Sequence, residues 1–150
     1  MKTAFLKTDV AIYKIVGNHS GIIQITSTEV IEHYDIPNEL KQAHQELKEY
    51  FEGTREVFNF DLLLNGTEFQ KKVWIALMNI PYGETRTYKD IAIEVGSPKA
   101  YRAVGMANNK NKIAIGIPCH RVIGSNKKLI GYAGGLHLKE YLIELEKRRA

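Results

Sequence analysis

The spacing of apolar positions divides the chain into a β-like beginning and a helical remainder. From Ala4 to Thr26 it reads as β-structure. VAIYKIV (Val10–Val16) and GIIQIT (Gly21–Thr26) are rich in β-branched residues and flank Gly17-Asn18-His19-Ser20-Gly21, a pattern that predicts a hairpin. Pro37-Asn38 opens a helix through Phe51, with Leu40, Ala43, Leu47, Tyr50 and Phe51 on one face and Gly53 as its stop. Phe58 to Leu64 predicts a short extended segment and Asn65-Gly66 a turn, so the domain boundary is expected between Phe60 and Gly66.

Helical spacing dominates the rest. Thr67-Glu68-Phe69-Gln70 has the form of a capping box and precedes the apolar series Phe69, Val73, Leu77, which predicts a helix from Thr67 to Asn79 closed by Pro81-Tyr82-Gly83. A second box at Thr87–Asp90 opens a short helix to Val95, with Ile91, Ala92 and Val95 inward. Gly96 supplies a turn. Ser97-Pro98 then has the form of a cap and first helical residue for a helix from Lys99 to about Asn108, which carries Arg102 between small residues. The two helices make a helix-turn-helix candidate, a weak signal alone because most helical hairpins bind no DNA. After a break at Asn108–Asn111, Lys112 to Ile117 reads as an apolar strand or loop leading into Pro118-Cys119-His120-Arg121. Gly131–Gly135 is a tight loop with little side-chain bulk. A last amphipathic helix runs from about His137 to Arg148, with Leu138, Tyr141, Leu142 and Leu145 inward. The expected fold is a small α/β N-terminal domain with a short sheet and a helix (1–65), joined to a mainly α C-terminal domain containing the helix-turn-helix (66–150).

Composition narrows the function classes. Of the 150 residues 44% are hydrophobic and 25% charged, ordinary for a globular protein. There is no apolar run of membrane-spanning length and no signal-peptide core, so a cytoplasmic protein with no membrane partner is expected. The single cysteine excludes an internal disulfide, and with no HExxH pair among the five histidines no metal site is expected. The net charge of +4 is unevenly spread: residues 1–60 hold 6 Lys+Arg against 9 Asp+Glu, and residues 61–150 hold 15 against 8. A basic second part suits a polyanion. On charge alone, a solvated lysine-rich surface is the simpler reading.

The chemistry centres on Cys119. Pro118 stiffens the approach to it and removes a backbone donor. Arg121 and a protonatable His120 offer electropositive surroundings of the kind that favour thiolate. In an extended segment neighbouring side chains diverge, so His120 is expected to act on the sulfur through water rather than by contact. A base needs an orienting partner, and the last helix offers Glu144 and Glu146. A packed, inert thiol accounts for a lone cysteine equally well.

PCHRVIG (Pro118–Gly124) resembles the active-site signature of the O6-alkylguanine-DNA alkyltransferases, also called methylated-DNA–protein-cysteine methyltransferases. GTEFQKKVW (Gly66–Trp74), IPYGETRTY (Ile80–Tyr88), RAVGMAN (Arg102–Asn108), Asn111, GYAGG (Gly131–Gly135) and the KEYL…E helix end (Lys139–Leu142, Glu146) follow in that family's order and spacing. The resemblance is dense from Gly66 to Glu146 and loose over residues 1–60. It implies a DNA repair protein that needs no cofactor, binds as a monomer to double-stranded DNA containing O6-alkylguanine, flips the damaged base out and transfers the alkyl group irreversibly to its own cysteine. By the same resemblance Cys119 is the acceptor, activated by His120 through water, with Glu146 rather than Glu144 orienting His120 and Asn111 tying the cysteine loop to the helix-turn-helix. Tyr88 crowds the target's phosphate and hydrogen-bonds the flipped base, and Arg102 enters the duplex behind it, flanked by the DNA-facing Tyr101, Ala103 and Gly105. Val122, Tyr132, Ala133 and Pro118 form the base pocket. The family usually has alanine where this chain has Tyr101. The alternative is a non-catalytic lesion-binding protein. Relatives of that kind lack the cysteine that is present here. A plain helix-turn-helix regulator would need neither PCHRV nor GYAGG, and a Cys-His hydrolase would turn over repeatedly.

Overall fold

The β-branched start of the chain folds into an antiparallel meander of β1 (Lys2–Lys7), β2 (Ile12–Asn18) and β3 (Gly21–Thr28), in the order β1-β2-β3. In this computed structural model, residues 1–126 and 128–149 are described. The chain divides into two units, Met1–Leu64 and Asn65–Ala150. The expected hairpin is β2–β3. Its turn is held by Asn18 Oδ1, which accepts from the Ser20 amide at 2.8 Å, and its register shifts between Val16 and Gly17. A side chain at Gly17 would meet the Gly21 carbonyl at 2.5 Å, so the close approach of the strands requires glycine there. β1 is an addition to the hairpin.

In the same unit, a 3-10 turn (Asn38–Leu40) leads into α1 (Lys41–Glu52), which Gly53 ends at φ 81°. Leu40, Ala43, Leu47 and Tyr50 are buried, as their spacing predicts, among Ala4, Tyr13, Ile15 and Ile25 of the sheet unit. Glu46 is buried as well. It survives there because it accepts from the Asn59 amide at 2.6 Å and the Gln42 side chain at 2.8 Å, with Arg55 at 3.7 Å. The expected extended segment before Leu64 makes only a bridge, Ile22 to Leu62, flanked by two backbone hydrogen bonds of 2.8 and 2.9 Å.

The second unit is helical. α2 (Glu68–Met78) and α3 (Tyr88–Glu94) both start with complete capping boxes, Thr67 with Gln70 and Thr87 with Asp90. α4 (Tyr101–Asn109) departs from expectation. Ser97 does not cap it. The Ala100 amide donates to the Ser97 carbonyl at 2.8 Å, which closes a turn over Pro98 and delays the helix to Tyr101. Trp74 Nε1 donates to the Ala107 carbonyl at 2.9 Å and ties α2 to α4. A two-residue parallel pair, β4 (Arg86–Thr87) with β5 (Val122–Ile123), sets the start of α3 beside the end of the cysteine loop. α5 (Leu136–Arg149) buries Leu138, Leu142 and Leu145 as expected. No described helix is long and apolar enough to cross a membrane. The whole is a small α/β fold with a three-stranded antiparallel sheet and packed helices.

Candidate active site

Between α4 and β5 the chain makes a tight, largely buried loop braced by the side chain of Asn111. Asn111 Oδ1 accepts from the Ile113 amide and its Nδ2 donates to the Ile117 carbonyl, both at 2.9 Å. Ile115 sits at φ 72°, a conformation costing a β-branched residue on the order of 1–3 kcal/mol. Its side chain is 1% exposed, so core burial offsets the strain.

Cys119–Arg121 form one 3-10 turn after Pro118, closed by the Arg121 amide donating to the Pro118 carbonyl at 3.0 Å. The extended geometry expected for this segment is therefore replaced by a helical one, in which consecutive side chains fan around an axis. Cys119, His120 and Arg121 all point into the unit and are buried. His120 Nε2 lies 2.6 Å from Glu146 Oε2, while Glu144 is exposed. Glu146 also accepts from Arg121 Nε at 2.8 Å, Arg121 Nη2 at 3.1 Å and the Gly83 amide at 3.2 Å. Burial opposes its ionisation, but His120 and Arg121 together outweigh that and hold the carboxyl at about 2. Burial pulls the His120 pKa down against the raising effect of Glu146, so the ring is neutral at rest. With Nε2 donating to the carboxylate, the lone pair is on Nδ1, which is buried and has no hydrogen-bond partner among the described residues.

Two expectations about the thiol's surroundings change. The charge of Arg121 is consumed by Glu146, and its Nη1 donates to the Ile80 carbonyl at 2.7 Å, so it does not serve Cys119. Burial pushes the Cys119 thiol up to about 11, opposed by the Asn111 side chain and by the charge of Lys139. The resting sulfur is a thiol. Asn108, buried at the end of α4, is within 3.4 Å of the Cys119 carbonyl through Nδ2. Neither Asn108 nor Lys139 stands out in sequence beyond its place in a motif.

The remaining residues fall into two groups. Tyr88 opens α3 half-buried, and its hydroxyl donates to the Ile130 carbonyl at 2.8 Å, at the start of the Gly131–Gly135 loop. Pro118 and Val122 are buried beside Cys119, while in that loop Tyr132 is half-buried and Ala133 exposed. Tyr101, Arg102 and Ala103 form an exposed edge at the start of α4, with the Lys89 ammonium 5.6 Å from the Tyr101 ring. Gly105 is turned toward Tyr88. A methyl group on it would meet that ring at 3.8 Å.

The second unit thus combines a buried cysteine, in the next position a neutral histidine paired with a carboxylate, and a pair of short helices, α3 and α4, with exposed cations at Lys89 and Arg102. Residues 68–148 match the model of the 6-O-methylguanine DNA methyltransferase, DNA binding domain, and the chain belongs to this family. It is 50% identical over 140 residues to a methylated-DNA–protein-cysteine methyltransferase of Methanosarcina barkeri, covering 89% of each chain. It is 55% identical over 117 residues to the constitutive protein of that name from Bacillus subtilis, covering 77% of this chain and 70% of the other. The crystal structure of Mycobacterium tuberculosis OGT in complex with DNA superposes with a TM-score of 0.90 and 43% identity, covering 99% of this chain and 94% of that one.

Proposed function

We propose that this protein repairs DNA by removing the alkyl group from O6 of guanine and keeping it on Cys119, once per molecule. The observation that carries the reading is the buried pair of His120, in the same turn as the cysteine, with Glu146 of α5, the histidine's other nitrogen having no hydrogen-bond partner among the described residues. Attack on an alkyl carbon bonded to an aryl-ether-like oxygen calls for a soft, strong nucleophile, which thiolate supplies. With its thiol held near 11, Cys119 must lose a proton as substrate arrives. His120 Nδ1 takes that proton through water, and Glu146 stabilises the resulting imidazolium. The sulfur lone pair then forms the S–C bond as the C–O6 bond breaks. The leaving electron pair stays on the guanine, which takes up one proton at its ring nitrogen, balancing the one the thiol gave up.

The other residues serve delivery. Arg102, exposed at the start of α4 with Tyr101 and Ala103, fills the space left by the extruded base. Tyr88 exchanges the Ile130 carbonyl for the flipped base. Val122, Tyr132, Ala133 and Pro118 surround the base, and Asn111 holds the cysteine loop. The partner is double-stranded DNA containing O6-alkylguanine, bound by a monomer in the cytoplasm. A lesion-binding protein without transfer would have no use for Cys119.

Intact-protein mass spectrometry after mixing with a duplex containing O6-methylguanine tests the reading. One added methyl group, absent in Cys119→Ser, is the expected result. An unmodified protein that still binds the lesion would overturn transfer and leave recognition alone.

A further inference from the structure

α5 sends Lys139 inward, and its side chain is fully buried at 0% exposure. An ammonium removed from water is costly unless charge or hydrogen bonds repay it. No ion pair to a carboxylate is found for it among the described residues. Its Nζ donates to the Ile130 carbonyl at 2.9 Å, the same oxygen that accepts from the Tyr88 hydroxyl at 2.8 Å, and it lies 6.0 Å from the centre of the Tyr88 ring. The acidic side chain whose charge it feels is Cys119, and each favours the charged form of the other.

The neighbouring charges do not compete for the sulfur. His120, on the cysteine turn, is neutral, and the Arg121 charge is met by Glu146, the buried carboxylate of α5, whose Glu140 and Glu144 are exposed. Tyr88, from α3, has its ionisation pushed up by burial and by Cys119, so it stays neutral. Burial lowers the Lys139 ammonium to about 8, which still leaves it charged at neutral pH.

We propose that Lys139 is a positioning residue of the acceptor site. It anchors the Ile130 carbonyl, and so the loop carrying Tyr132 and Ala133, and it supplies the fixed cation against which the Cys119 thiolate forms. This rests on reading Cys119 as the nucleophile. It also gives the Ile130 carbonyl a donor that remains when Tyr88 turns to a flipped base. A preorganised charge of this kind needs no reorganisation at the moment of reaction.

The test uses Lys139→Gln, which keeps a donor without charge, and Lys139→Met, which keeps neither. The pH dependence of two reactions is followed: benzyl transfer from free O6-benzylguanine, and alkylation of Cys119 by iodoacetamide, which needs no pocket. Loss of the positive charge raises the thiol's pKa, so both profiles should move to higher pH by about one unit in both variants, about ten-fold slower at neutral pH. Lys139→Met should also weaken O6-benzylguanine binding, seen as a raised half-saturation concentration, without a further change toward iodoacetamide. Profiles identical to wild type would overturn the proposal. If the variants do not fold, the iodoacetamide rate of wild-type Cys119 is followed through the range in which Lys139 loses its proton, about pH 8. Coupling is reciprocal, so the rise of the rate with pH should flatten as the ammonium is lost, and a straight rise through that range would overturn the proposal. If iodoacetamide profiles shift while no methyl group is taken from O6-methylguanine duplex, the transfer reading falls and the Lys139–Cys119 coupling stands.

Discussion

Glu146 has two tasks, and they are inseparable. It orients His120 and it neutralises Arg121, both in a buried setting. Glu146→Gln therefore cannot be a silent probe of the relay. It leaves the Arg121 guanidinium buried without its counter-ion, a change that costs about 3–5 kcal/mol in comparable pairs, so the denaturant midpoint should fall along with the transfer rate. Unchanged stability would mean that Arg121 finds another partner. The same carboxylate sets an acid limit. Its folded pKa of about 2 lies below the ordinary value of 4.5, so its contribution is fully present above about pH 4.5 and is lost as pH falls toward 2. Denaturant titrations across that window should show stability declining in wild type and declining less in Glu146→Gln.

α4 carries two predictions. The first separates flipping from general attraction to phosphate. Arg102 is exposed beside Tyr101 and Ala103, and a phosphate contact there would be lesion-blind, salt-dependent and largely replaceable by Lys. A planar guanidinium filling a gap in the stack is not so replaceable. Arg102→Ala should slow repair of duplex strongly and spare reaction with free O6-benzylguanine, and Arg102→Lys should recover part of the loss. Equal loss on both substrates would assign Arg102 to the fold. The second concerns Gly105, whose added methyl would stand at ordinary contact distance from the Tyr88 ring. Alanine is the better helix former by roughly 0.5–1 kcal/mol, so Gly105→Ala should raise the denaturant midpoint and leave O6-benzylguanine transfer intact. A lowered midpoint would show that α4 needs a closer seat on Tyr88 than this spacing allows.

For the molecule as a whole, the proposed acceptor is the single cysteine of the chain, and that sets the expected stoichiometry. A thioether is a poor leaving group, so each molecule should accept one alkyl group and stop. With excess alkylated duplex, unrepaired lesions should equal the shortfall of protein, measured by counting residual O6-methylguanine. Sustained turnover without added reagent would end the single-use reading. Duplex affinity should fall with added salt, because the positive excess is confined to residues 61–150, which hold 15 Lys+Arg against 8 Asp+Glu.

The helices were legible in the sequence because their signals are local. Two capping boxes place the starts of α2 and α3, Gly53 ends α1, and the inward positions of α5 repeat at helical spacing. The family was legible too, because PCHRVIG and its companions are an ordered set and not a lone cysteine. Other features needed the tertiary structure. A parallel pair of two residues has no periodicity to read, yet β4 with β5 brings Tyr88 to the cysteine loop. Ser97-Pro98 has the local chemistry of a helix start, and the turn closing over it overrode that preference. Arg121 looked like a cation serving Cys119 until packing of α5 gave it Glu146. Lys139 was read only as part of the KEYL motif. Whether such a side chain meets water or is buried against a carbonyl depends on which way the helix faces when it docks, and that is set by distant elements, not by its neighbours in the chain.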